Sequence, residues 1–259
     1  MALRYKSYFN YGLEITTGNR SIDFKTSGGG AEKQATLRVG FYALTSLSEE
    51  IVRAMSEADS STGYTVTVTR GYGGGTGNRI TIGTTGSYLS LLFLTGTRNA
   101  SSICSLIGFL QTDRTGSLSY QGESSAGTVL VTEQIGYNWV PPDTYQEVQG
   151  SVLISASGVK ETIVFNIMEF FSVDFKYEPS TKLTDWNLFF RWAIKQRLFE
   201  FTPEYPYPNS YYECTLEKTS QNGKGLGYRI KEMLPSFPFF YETDTLTLRR
   251  RVAPSTFIY

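Results

Sequence analysis

Tyr64-Thr65-Val66-Thr67-Val68-Thr69-Arg70 and Arg79-Ile80-Thr81-Ile82-Gly83-Thr84 alternate apolar and polar side chains residue by residue. Successive side chains of a strand point to opposite faces, so each stretch reads as a half-buried strand. Residues 71–78 are rich in glycine, and a hairpin with a loose loop is the simplest way to join the two. The run from Arg70 to Arg79 also has the outline of a phosphate cradle. A phosphate loop needs Gly-Lys-Ser/Thr opening a helix. Here no lysine follows and both flanks are strands, so the flexible-hairpin reading prevails. Such a tip can reach a neighbouring subunit, which makes Tyr72, Gly73, Gly74 and Gly75 candidate subunit contacts.

Upstream of the hairpin the pattern changes period. Leu47, Ile51, Met55 and Ala58 recur at helical spacing, and Ser46 followed by Glu49 has the form of a capping box. A helix over 46–58 is predicted, with Glu49, Glu50, Arg53 and Glu57 facing water. Before it, 21–24 and 35–42 read as strands, the second with Leu37 and Val39 on one face. Past the hairpin, 87–94 is a further strand. Asn99 is placed to cap a short helix through Ile103, Leu106 and Ile107 that stops at Gly108. Residues 118–120 and 128–132 read as short strands, with a turn at Asp113-Arg114-Thr115-Gly116.

Asn138-Trp139-Val140-Pro141-Pro142-Asp143 breaks the patterning, because consecutive prolines continue neither a ladder nor a helix. The expected organisation is a β-rich domain over 1–137, a linker over 138–145 and a second β-rich domain, sandwich- or barrel-like, over 146–259. In the second domain, 148–156 and 162–176 are strands turning at Ser157-Gly158. Thr184 caps a helix over 185–197 whose apolar face holds Trp186, Phe189, Phe190, Ala193 and Ile194. Strands at 199–201, 211–216, 226–233 and 245–252 follow. The predicted fold class is mainly β with a few helices (α+β), each sheet packed by at least one amphipathic helix. The 18 Tyr, 17 Phe and 25 Gly agree with it, since aromatics favour strands and glycine favours tight turns.

Composition narrows the chemistry. The chain has no histidine. Nucleophile systems that pass a proton to an imidazole are excluded, as are zinc sites with histidine ligands. Two cysteines are too few for a cysteine-only zinc site; Cys104 and Cys214 admit one disulfide or two buried free thiols, and the thiols are the expectation. Carboxylate-only chemistry survives this count, but no pair of acids falls in a predicted pocket, so the expectation is a protein that is not an enzyme and carries no cofactor or metal. With 24 basic and 24 acidic residues, nothing is basic enough to seek a phosphate backbone, and no nucleic-acid binding is expected. No apolar run is long enough to span a bilayer, and the first twenty residues hold no apolar core of a signal peptide. Tyr205, Tyr207, Tyr211 and Tyr212, with Phe237, Phe239, Phe240 and Tyr241, form two aromatic clusters near prolines. Core packing, a carbohydrate-stacking surface and subunit contact all suit them. Tyr205, Tyr207, Tyr211, Phe239 and Phe240 are the candidate subunit contacts.

Residues 19–120 carry a succession of motifs: Asn19-Arg20-Ser21-Ile22-Asp23-Phe24, the 47–55 helix, the 64–68 and 79–82 strands, Leu91-Leu92-Phe93-Leu94-Thr95-Gly96-Thr97, Leu106-Ile107-Gly108-Phe109, and Asp113-Arg114-Thr115-Gly116-Ser117-Leu118-Ser119-Tyr120. This succession resembles a domain of structural proteins in tailed bacteriophages. The second half, through Thr184-Asp185-Trp186 and Phe189-Phe190, is similar to the β-rich body of distal tail and baseplate proteins. The resemblance implies a virion structural protein, made in the host bacterial cytoplasm, that forms a homo-oligomeric and typically hexameric ring between the tail tube and the tip or baseplate. It brings no catalytic residues with it. Another tail or neck subunit (tube, head-tail joining) and a carbohydrate-binding adhesion module are the alternative expectations.

Overall fold

The computed structural model describes residues 4–71, 77–135, 143–154, 160–176, 178–203, 210–217, 230–232 and 240–251. The chain divides into two compact units. The first is Asn10–Val129; the second combines Met1–Phe9 with Leu130–Tyr259. The architecture is mostly strand, with two α-helices among the described residues.

Through the first half the elements are β1 (Arg4–Tyr11), β2 (Leu13–Ile15), β3 (Ser21–Lys25), β4 (Lys33–Thr36), β5 (Gly40–Tyr42), α1 (Leu44–Ala58), β6 (Tyr64–Thr69), β7 (Arg79–Thr84), β8 (Leu89–Leu91), β9 (Arg114–Ser117), β10 (Ser119–Gln121) and β11 (Thr128–Ile135). The first unit holds three small sheets, ordered β4-β3-β8-β9, β10-β7-β6 and β2-β5. The β6–β7 hairpin is antiparallel, as its alternation predicts. Val66 lies opposite Ile82, Val68 opposite Ile80, and Thr67 opposite Thr81. Ile80 and Ile82 are fully buried, while Thr65, Thr67 and Thr69 are exposed. One continuous core gathers Ile22 and Phe24 from β3, Leu47, Ile51 and Met55 from α1, Ile80 and Ile82 from β7, Leu91 from β8, and Phe93 and Ile107 from the segment that follows it. Each such side chain contributes about 1.5–3 kcal/mol by leaving water.

Four local expectations are corrected in this unit. The helix starts two residues before 46, with Ala43 at the cap. Ser46 is the third helical residue, and its Oγ accepts the Ala43 N–H at 3.0 Å. The Ser46–Glu49 spacing therefore marks no capping box; Leu44 joins the buried face and draws the helix start back. Glu50 does not face water but is buried. The 35–42 strand is interrupted: β4 ends at Thr36 and β5 begins at Gly40, so Leu37 is buried and Val39 is 56% exposed. The helix expected after Asn99 is a 3-10 turn over Asn99–Ser101 and then a single helical turn. Phe109 donates its N–H to Cys104 O and Gly108 to Ser105 O, the closure of a Schellman motif with Gly108 at φ +82°. Glycine is required there twice over, since a Cβ would lie 2.2 Å from the Ser124 carbonyl oxygen.

The second half adds β12 (Asp143–Ile154), β13 (Lys160–Val173), β14 (Glu178–Pro179), α2 (Leu183–Ala193), β15 (Phe199–Pro203), β16 (Tyr212–Leu216), β17 (Ile230–Glu232), β18 (Phe240–Thr243) and β19 (Leu246–Arg250). Seven strands form one sheet in the order β11-β1-β15-β16-β19-β13-β12, and β14-β18-β17 form another. The start of the chain thus belongs to the second unit, against the expected 1–137 grouping. Phe9 explains why. It is fully buried and lies within 4.7–6.0 Å, ring centre to ring centre, of Phe175, Trp186, Phe189, Phe199 and Phe201. Of the expected 138–145 linker, Asp143, Thr144 and Tyr145 are the first residues of β12, and 138–142 fall outside the described residues.

Helix α2 begins at Leu183, after a 3-10 turn over Ser180–Lys182, and stops at Ala193 rather than at 197. Gln196, at φ 58°, takes the left-handed conformation that closes the following turn, and its Nε2 donates to Leu216 O at 2.5 Å. Trp186, Phe189, Phe190 and Ala193 are buried as expected. Trp192 is buried too, its indole N–H on Leu198 O at 2.9 Å and the Arg197 guanidinium 4.7 Å above its ring. Cys104 and Cys214 are free buried thiols.

Candidate functional site

The nine residues expected to touch a neighbour divide by place. Tyr72, Gly73, Gly74, Gly75, Tyr205, Tyr207 and Phe239 lie outside the described residues. Tyr211, 45% exposed, stands just before β16 on the seven-stranded sheet. Phe240, 37% exposed, opens β18 and lies opposite Pro179. These two therefore sit on different sheets of the second unit. Their partial exposure suits contact with a partner, but they form no single platform.

Several acidic side chains of the first unit accept backbone N–H groups of its loops. Asp23, 3% exposed, accepts the Arg98 backbone N–H at 2.5 Å and its Nε at 3.2 Å. The same guanidinium reaches Thr36 Oγ1 at 2.6 Å and Ala35 O at 3.0 Å, so one arginine stitches β3 and β4 to the turn after β8. Gly96 makes this approach feasible, because a Cβ there would lie 2.6 Å from the Asp23 side chain. Asp113 accepts the N–H groups of Leu94 and Thr95 at 2.8 and 3.1 Å and the Thr95 hydroxyl at 2.5 Å. Asp59 accepts from Ser61, Thr26 and Tyr64. Glu50 accepts the Arg38 N–H at 2.6 Å and two donors of Arg53 at 2.7 and 2.5 Å. Arg53 in turn pairs with Glu57.

The electrostatics follow from that geometry. Burial pulls the Glu50 carboxyl upward, but the hydrogen bonds and charges of Arg53 and Arg38 outweigh it and hold the group below the usual carboxylate range. Asp113 is also held low: burial opposes, and the Thr95 and Leu94 donors prevail. Asp59 is lowered chiefly by the Ser61 hydroxyl, against burial. Glu32 is lowered as well, burial being outweighed by the Thr97 donors. Burial and then the Asp59 charge push the Tyr64 phenol well above its ordinary value. A proton-transfer role at neutral pH asks for the opposite, a carboxyl raised toward 7. Among the described residues no group of three His, Cys, Asp or Glu side chains could hold a metal ion, and no helix is long and apolar enough to cross a membrane.

Sequence reasoning missed one surface. A shallow groove of about 330 Å³ runs between α1 and β6, lined by Ser48, Glu49, Val52, Arg53 and Val66. Val52 lies off the predicted apolar face of the helix, and nothing in the local pattern joins it to the hairpin. No protein-family model matches the chain, and no curated protein matches it.

Proposed function

We propose that the chain is a structural subunit of a phage tail, a distal-tail-like ring protein linking the tail tube to the tip or baseplate. The observation that supports this most is the use made of Asp23, Gly96 and Asp113, which belong to the motif succession that resembles phage structural domains. Each holds backbone in place: Asp23 on the Arg98 turn, Gly96 against Asp23, Asp113 on the Leu94–Thr95 amides. Acids tied to N–H groups in this way serve construction better than chemistry. Two β-rich units with strand edges and partly exposed aromatics suit a body whose borders neighbouring copies cover. The balance of acidic and basic residues opposes such packing little. Ring contacts would be heterologous, one patch meeting a different patch on the next copy, with the rotation closing.

Light scattering after size exclusion, with negative-stain images of the same fractions, tests the reading. The expected result is a closed ring, six copies of the 29.0 kDa chain. Stacked or open filaments would point instead to a tube or neck subunit. A particle that remains monomeric over the accessible concentration range, and is still monomeric when mixed with tail tubes, counts against any tail-ring role.

A further inference from the structure

The hydrogen-bond register of the β6–β7 hairpin shows which groups stand on the outer edge of β6. Thr84 donates its N–H to Leu118 O at 3.0 Å, and Gly122 donates to Ile80 O at 3.0 Å. The even-numbered residues of β7 thus bond toward β10. Arg79, Thr81 and Gly83 must then bond toward β6, where they lie opposite Thr69, Thr67 and Thr65. Thr85 N–H on Gly63 O at 2.9 Å continues the same alternation. The N–H and C=O groups of Val66 and Val68 therefore point away from β7. Among the described residues β6 is the last strand of its sheet on that side.

The α1–β6 groove opens beside this edge. Val52 and Val66 give it an apolar floor, with Ser48 and Arg53 as walls and Glu49 on the exposed side. Arg53 is already engaged by Glu50 and Glu57. Among the described residues no cation pairs with Glu49.

We propose that β6 takes an extended polypeptide segment from another chain as an added strand, with small apolar side chains facing the groove and a lysine or arginine against Glu49. Its backbone bonds the free groups of Val66 and Val68. Every second side chain enters between Val52 and Val66, and the others lie beside the exposed Thr65 and Thr67 on the outer face. A row of donors and acceptors at strand spacing fits a peptide, and the uncompensated Glu49 carboxylate selects a basic one. The surface stands whether or not copies of the chain close into a ring.

The full-length protein, labelled on amide nitrogen and valine methyls, is titrated with an acetylated and amidated nonapeptide of alternating threonine and valine with one central lysine. The Val66 and Val68 amides and the Val52 and Val66 methyls are expected to shift saturably. Val68→Pro removes a donor that no strand of the described sheet uses, so the β6–β7 ladder keeps its bonds; binding weakens about tenfold. Val52→Gln, an uncharged polar side chain on the helix flank, gives the same loss should the proline variant fold poorly. Glu49→Lys weakens the lysine peptide about threefold and leaves a peptide with glutamine in its place unaffected. Shifts confined to other residues, no saturable shift at millimolar peptide, or undiminished binding by both Val68→Pro and Val52→Gln overturns the proposal.

Discussion

Asp23 and Arg98, seventy-five residues apart in the chain, are joined by both backbone and side chain: the aspartate accepts the arginine's N–H at 2.5 Å and its Nε at 3.2 Å. The Asp23 side chain is 2% exposed and that of Arg98 27%. Removing one partner strands the other's charge in a low-dielectric site, the costly half of breaking a buried pair. Arg98→Ala is expected to lower stability by about 2–4 kcal/mol. Lys, which lacks the fork that also reaches Thr36 and Ala35, should recover less than half of the loss. Urea unfolding of the three proteins checks this; an Arg98→Ala midpoint equal to the parent's contradicts it.

Gly108 and Gly116 both sit in the left-handed region, at φ +82° and +90°. They separate strain from collision. A Cβ on Gly116 meets nothing within 4 Å, whereas one on Gly108 meets the Ser124 carbonyl. Gly116→Ala should cost about 1–2 kcal/mol, the backbone penalty alone. Gly108→Ala should cost at least about 2 kcal/mol more, because backbone must move. Equal melting temperatures for the two variants would refute the distinction.

Acid should unfold the first unit through Glu50 and Asp113. Their folded carboxyls titrate below the ordinary values of 4.5 and 3.8. The folded state therefore binds fewer protons than the unfolded one. The stabilisation is complete above those ordinary values and is lost as pH falls through the lower folded ones. Glu50→Gln should cost about 1–3 kcal/mol at pH 7, since charge-assisted bonds to Arg53 and Arg38 are weakened. Its stability should also vary less between pH 5 and pH 3. Thermal scans across that range read both effects, and parallel curves for parent and variant would dismiss Glu50 as a contributor.

Phe9→Ala should open a cavity at the centre of the second unit's aromatic cluster and cost about 3–5 kcal/mol. Limited proteolysis should then cut within 130–259 before 10–129. Cleavage starting in 10–129 would mean that Phe9 does not anchor the unit to which its ring contacts assign it.

Cys104 is 4% exposed and Cys214 is fully buried, its thiol pushed upward by burial. Neither should react with a disulfide reagent within minutes in the native state, and both should react on unfolding. One fast-reacting thiol per native chain would show that a burial assignment is wrong.

Strand alternation at 64–69 and 79–84, helical spacing at 47–58 and the aromatic stripe of 186–193 are local properties, and the sequence alone determined them: periodicity follows from which face of an element must leave water. It also excluded imidazole chemistry, by composition. Tertiary structure decided the rest, because it turns on partners distant in sequence. That Glu50 is buried depends on Arg38 and Arg53 meeting it. That the first nine residues belong with 130–259 depends on a ring at position 9 reaching rings near 190. The groove beside β6 exists only once a helix flank and a strand edge are brought side by side. Sequence spacing does not encode such pairings; packing of the whole chain selects them.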